Sequence, residues 1–126
     1  MTMTLEDGLT TAAALGKTAA VACLLRKGAK VNGVNSFGRT ALQVMMMGST
    51  QVAQLLLEHG ADPNVTDRHT GATPLHDAAR TGFLDTARLL VDFLANPHAR
   101  DNTNYQPIDL ARQNGHADVV AYLESL

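Results

Sequence analysis

Tryptophan is absent from this chain, and aromatic residues of all kinds make up 4% of it. A core with so few rings is filled by Ala, Leu, Val and Met, which suits closely stacked helices better than a sheet sandwich. Cysteine occurs once, at Cys23, so an internal disulfide framework is excluded. Cys23 falls on an apolar helical position, where a small buried thiol is expected rather than a reactive nucleophile, and an intracellular setting is implied. No stretch approaches the roughly 18 apolar residues of a membrane span. The opening MTMTLEDGLT lacks the basic start and long apolar run of a secretory signal. A soluble chain without membrane association is expected.

Concentrated positive charge is missing as well. Residues 1–57 carry five Lys or Arg against Glu6 and Asp7, and residues 58–126 carry five Arg against ten acids, so the overall charge of −2 divides into +3 and −5. A phosphate-binding surface needs a basic patch, so nucleic acid is excluded as a partner. An acidic C-terminal half favours a basic protein partner, although scattered surface charge also serves plain solvation.

What is present is a repeating unit, seen most completely in TPLHDAARTGFLDTARLLVD at 73–92. Thr73 and Pro74 start a helix: a hydroxyl caps free backbone N–H groups, and a ring already fixed at helical φ follows it. Leu75, Ala78 and Ala79 share one face, and Gly82 permits the left-handed turn that ends the helix. A second helix carries Phe83, Ala87 and Leu90 on one stripe, with Asp85 and Arg88 outward. Neither helix is stable alone, so the pair must stack on copies of itself.

Those copies are found by aligning the turn glycines Gly16, Gly48, Gly82 and Gly115. Each is followed by a helix with apolar or small residues near offsets four, five, seven and eight: Ala20, Val21, Cys23 and Leu24 in the first; Val52, Ala53, Leu55 and Leu56 in the second. Pro74 to Pro107 and Gly82 to Gly115 are both 33 residues. That period, with TPLH opening the helix, is the signature of ankyrin repeats. The expected fold is all-α, an ankyrin-repeat solenoid of four stacked helix-turn-helix repeats near 4–34, 35–66, 67–100 and 101–126, forming one domain over 1–126. Hairpin-like loops project from it, with Gly38, Gly71 and Asn104 at tips that need positive φ.

Two irregularities interrupt the period. Thr73 to Gly82 and Gln106 to Gly115 each span ten residues, whereas Thr40 to Gly48 spans nine. Losing one residue rotates everything after it by about 100°, so the first helix of the second repeat shrinks to about one turn or becomes irregular. The loop from Asp67 to Thr73 is one residue longer than its counterparts before Thr40 and Gln106.

With these irregularities, FGRTALQVMMMGS (37–49) and HDAARTGFLDT (76–86) resemble the signature stretches of the four-repeat ankyrin inhibitors of cyclin-dependent kinases 4 and 6, tumour suppressors that arrest the cell cycle in G1. The resemblance runs from GLTTAAALG (8–16) to VVAYL (119–123). It implies a monomeric, non-catalytic protein of cytoplasm and nucleus that grips the kinase beside the ATP cleft, misaligns the lobes and opposes cyclin binding. The residues matching the family's kinase-contact motif are Gln43, Val44, Met45 and Met46, then Asp67, Asp77, Arg80, Phe83 and Asp85. In the family the Asp77 position pairs with a kinase Arg; read from sequence alone, Asp77 is equally a first-turn acid favoured by the helix dipole. Met45, Met46 and Met47 are open to a core or a contact reading, Met47 being placed in the core. Arg80 and Asp85 are open to pairing with each other at the surface.

His76 is expected to tie successive repeats together through loop backbone. His59, His69, His98 and His116 show no ligand spacing, so no metal or cofactor is expected. No nucleophile, base and orienter cluster together, which argues against an enzyme. The alternative function is a generic ankyrin adaptor for another protein.

Overall fold

The computed structural model describes residues 3–126. Among them are eight helices and no strand: α1 (Leu5–Ala14), α2 (Thr18–Arg26), α3 (Ala41–Val44), α4 (Thr50–Glu58), α5 (Pro74–Thr81), α6 (Leu84–Asp92), α7 (Pro107–Gln113) and α8 (Ala117–Glu124). None of these helices is long and apolar enough to cross a membrane. The fold is the all-α ankyrin class expected. The chain forms two compact units, one ending at Asp62 and one beginning at Pro63.

In the first unit, α1 packs on α2 and α3, and α4 packs on α2 and α3. Leu9, Ala12 and Ala13 of α1, Val21 of α2, Ala41 and Leu42 of α3, and Val52, Ala53 and Leu56 of α4 are buried between them. Thr4 caps α1 reciprocally with Asp7. In the second unit, α5 lies against α6 and α7, and α8 against α6 and α7. Leu75, Ala78 and Ala79 share the buried face of α5. Thr86, Ala87 and Leu90 form the buried stripe of α6, while Phe83 precedes that helix as its N-cap and is 42% exposed. The stripe therefore begins at Thr86, not Phe83. Cys23 is half-buried rather than buried, as are Leu55, Leu89 and Tyr122 at the same offset from their turn residues.

The missing residue in the second repeat has the expected effect. Helix α3 is a single turn of four residues, capped reciprocally by Thr40 and Gln43. Beyond it Met45 is extended, at φ −55° and ψ 154°, and a turn at 47–48 leads into α4. Extension is how fewer residues reach the start of α4, because an extended residue advances about 3.3 Å against 1.5 Å in a helix. Gly48 is accordingly not among the positive-φ residues, unlike Gly16, Gly82 and Gly115 at the other three turns.

The three loops show the extra residue directly. The amide of Asn35 donates to the Arg39 carbonyl and that of Asp101 to Tyr105, both at 2.9 Å; the amide of Asp67 reaches one residue further, to Ala72 at 2.9 Å. Asn104 takes positive φ (69°) at its loop tip, where Gly38 and Gly71 do in theirs.

Side chains join neighbouring repeats within each unit. The Asn32 carboxamide donates to the Gly60 carbonyl (3.1 Å) and accepts from the Asp62 amide (2.8 Å). Asn64 brackets Leu94 and Asn96 in the same way, at 3.1 and 2.7 Å. His76 is fully buried. Its Nδ1 accepts from the Thr73 amide (3.1 Å), so its proton is on Nε2, which donates to the Tyr105 carbonyl (2.8 Å). It ties α5 to the following loop, as expected.

His76→Ala should cost about 2–4 kcal/mol in urea unfolding, because it opens a cavity and orphans the Tyr105 carbonyl; a loss within experimental error would contradict the tie. Amide hydrogen exchange should show residues 41–47 as a group less protected than 77–83, since one turn leaves most of its amides without helical partners. Equal protection in the two segments would contradict a weakened α3.

Candidate functional site

The nine candidate residues fall into a group on each unit. In the first, Gln43 is committed to capping: its side-chain oxygen accepts from the Thr40 amide at 2.7 Å. Val44, half-buried, is the last residue of α3. Met45 turns inward and is 4% exposed, Met46 outward and 49% exposed. Met45 is therefore a core side chain and not an exposed contact, because almost none of it is accessible. Met47 is half-buried, so the core methionine is Met45 and not Met47.

Met46 is held in place by backbone and by shape. Its amide donates to the Ala13 carbonyl at 3.0 Å. Its thioether lies over Gly16, where an added Cβ would come within 2.9 Å of the sulfur. Gly16 thus serves two needs, a φ of +70° and room for Met46. With Gly48, Ser49, Thr50 and Gln51 they line a shallow depression.

In the second unit, Asp67 stabilises its own loop: one carboxylate oxygen accepts from the amides of His69 (2.8 Å) and Thr70 (3.1 Å). Asn35 and Asp101 do the same in their loops. Loop support by itself accounts for an acceptor at that position. Asp77 and Arg80 form an ion pair of 3.3 Å on α5, with about a third of the Asp77 side chain (32%) and half of Arg80 (53%) exposed. Arg80 therefore pairs with Asp77, not with Asp85, the surface pairing left open from sequence. Asp85 is exposed in the first turn of α6, favoured there by the dipole.

Asp77 differs electrostatically from a plain surface acid. Burial raises its pKa above 3.8, and the hydrogen bond and charge of Arg80 oppose the shift without cancelling it. The carboxylate is kept partly dry at the rim of the helix, and its ion pair with Arg80 does not offset that burial.

One supporting residue was not foreseen. His116, at the N-cap of α8, places Nε2 3.1 Å from the Arg80 carbonyl and lies against Gly82. The fourth repeat thereby braces the turn that follows Asp77 and Arg80. The only clue in the sequence was a bulky polar residue directly after a turn glycine.

The raised pKa gives a signed expectation. Below pH 3.8 the Asp77 carboxyl is neutral in folded and unfolded chains and carries no penalty; as pH rises through 3.8 and the higher folded-state value, ionisation destabilises the fold. Asp77→Asn mimics the neutral form, so urea unfolding should show the variant gaining stability relative to the parent chain between pH 3 and pH 7. A relative loss over that range would contradict the desolvated carboxylate.

Comparison with known proteins gives these positions a context. A family model described as ankyrin repeats matches residues 4–67 and again 63–125. Over 120 residues the chain is 52% identical to cyclin-dependent kinase 4 inhibitor B of Homo sapiens, covering 95% of this chain and 87% of that protein. The protein of that name from Rattus norvegicus is also 52% identical, over 95% of this chain and 92% of its own length. Cyclin-dependent kinase inhibitor 2A of Homo sapiens is 51% identical over 119 residues, 94% of this chain and 76% of that protein. Identity of this extent includes surface positions that stacking alone does not dictate, and the chain belongs to the family of ankyrin-repeat inhibitors of cyclin-dependent kinases.

Proposed function

We propose that the chain is a non-catalytic inhibitor of cyclin-dependent kinases 4 and 6, binding the kinase beside its ATP cleft and opposing cyclin binding. The observation that carries this reading is the identity of about half the residues, over nearly the whole chain, to proteins named as inhibitors of cyclin-dependent kinases. The one-turn α3 and the lengthened third loop support it, because an ordinary ankyrin stack requires neither. The reading takes the chain to act as a monomer in cytoplasm and nucleus, as a negative regulator of cell-cycle progression.

In this reading the contacts come from Gln43, Val44 and Met46 on one unit and from Asp67, Asp77, Arg80, Phe83 and Asp85 on the other. Met46 and Phe83 supply exposed apolar area, 49% and 42% accessible. Asp77 supplies the charge, exchanging its single bond from Arg80 for a bidentate bond from a kinase guanidinium. Inhibition follows if the chain binds an inactive lobe arrangement more tightly than the active one, since only that difference shifts the population.

A pulldown with purified kinase 4 or 6, and separately with the kinase that pairs with mitotic cyclins, tests this. Selective capture of the former is expected. Asp77→Asn, shown folded by circular dichroism, should weaken it by about 2–5 kcal/mol. Equal failure with every kinase would refute the reading and leave an ankyrin adaptor for another partner; undiminished binding by the variant would remove Asp77 from the contact.

A further inference from the structure

The chain contains two Asn-Gly pairs, Asn32-Gly33 and Asn114-Gly115, the dipeptide most prone to spontaneous deamidation because glycine leaves the attacking nitrogen unhindered. The structure treats them very differently. We propose that Asn114 is a site of non-enzymatic modification at which the folded chain converts to aspartate and isoaspartate, while Asn32 is protected.

In this reaction the Gly115 backbone nitrogen attacks the Asn114 side-chain carbonyl carbon. A Cγ–N bond forms, the Cγ–Nδ2 bond breaks, and ammonia leaves with the amide proton. Water then opens the five-membered imide at either carbonyl, leaving aspartate or, with the backbone rerouted through the side chain, isoaspartate. The step needs freedom in the side chain, freedom at ψ of the asparagine and space around the glycine nitrogen.

Asn32 is restrained in its side chain and crowded at its glycine. Its carboxamide is bonded at both ends to backbone 28 and 30 residues away, at Gly60 and Asp62. Gly33 is hemmed in by the Glu6 side chain, which an added Cβ would overlap. Releasing the Asn32 side chain breaks both bonds that join the two repeats there. Asn114 is held only locally: its Nδ2 donates to the Leu110 carbonyl at 2.8 Å, and the Gly115 amide donates to Arg112 at 3.2 Å. Asn114 is exposed at the C-cap of α7, and the space beside Gly115 is open. Its ψ of 6° must rotate before attack, against those bonds, the Asn114 amide's own bond to Leu110 (3.2 Å) and the His116 amide's bond to Ala111 (2.9 Å), all made within the turn and the end of α7. The equivalent pairs in the first and third repeats are Leu15-Gly16 and Thr81-Gly82, so the reactive pair is confined to this turn.

Conversion loosens the turn. A carboxylate replaces a donor facing the negative end of α7. Isoaspartate adds a backbone carbon just before Gly115, in the turn that aims His116 at the Arg80 carbonyl.

The test is peptide mapping by mass spectrometry of the full chain held for days in warm, mildly alkaline buffer, with a parallel sample in urea. In the folded sample Asn114 should convert about tenfold or more faster than Asn32, and in urea the two should convert at similar rates. Aged parent chain should also melt below aged Asn114→Gln, itself shown folded by circular dichroism. Equal conversion at the two sites in the folded chain, or none at Asn114 while the urea sample reacts, would overturn the proposal. Coincident melting after conversion would overturn the loosening of the turn.

Discussion

None of the eight helices is longer than ten residues, and a helix that short is not stable in water by itself. Each persists because one face is shared with neighbours. This shared burial explains why the buried positions are small or aliphatic: Ala12, Ala13, Ala78, Ala79 and Ala111 let helices approach, and Leu9, Leu56, Leu75 and Leu90 fill the space between them. It also explains why asparagines and histidines bonded to backbone cross between repeats. Asn32, Asn64 and His76 satisfy loop carbonyls and amides that helices this short leave over.

Because stacking is secured by those few positions, the outer faces are released for other uses. Met46 stands exposed where the shortened α3 gives way to extended chain, and Phe83 stands exposed as a helix cap that makes no capping bond. Asp77 is the informative one. Burial raises its pKa, so holding its charge weakens the fold, although its ion pair with Arg80 and its first-turn position on α5 oppose that cost.

Most of the fold was legible in the sequence because its signals are local. Thr73-Pro74, the 33-residue period and the glycine-bearing loop tips each act within a few residues of themselves, and so does the missing residue that reduces α3 to one turn. The inward turn of Met45 was not legible, since it follows from the chain switching from helical to extended backbone at a point that helical spacing cannot mark. The Arg80–Asp77 pair and the brace from His116 also escaped, because rotamers and contacts 36 residues apart depend on stacked geometry. The candidate contact positions came from resemblance to a family, not from spacing; exposure then separates Met46, Phe83 and Asp85 from the buried Met45.

In the proposed function the chain and a cyclin act on one kinase equilibrium from different surfaces. The most direct measurement is the cyclin affinity of kinase 6 with and without saturating chain, set beside the chain's affinity for that kinase with and without cyclin. Linkage requires the two factors to be equal. Each ligand is expected to weaken the other by the same factor, greater than one. Cyclin affinity untouched by bound chain would contradict it.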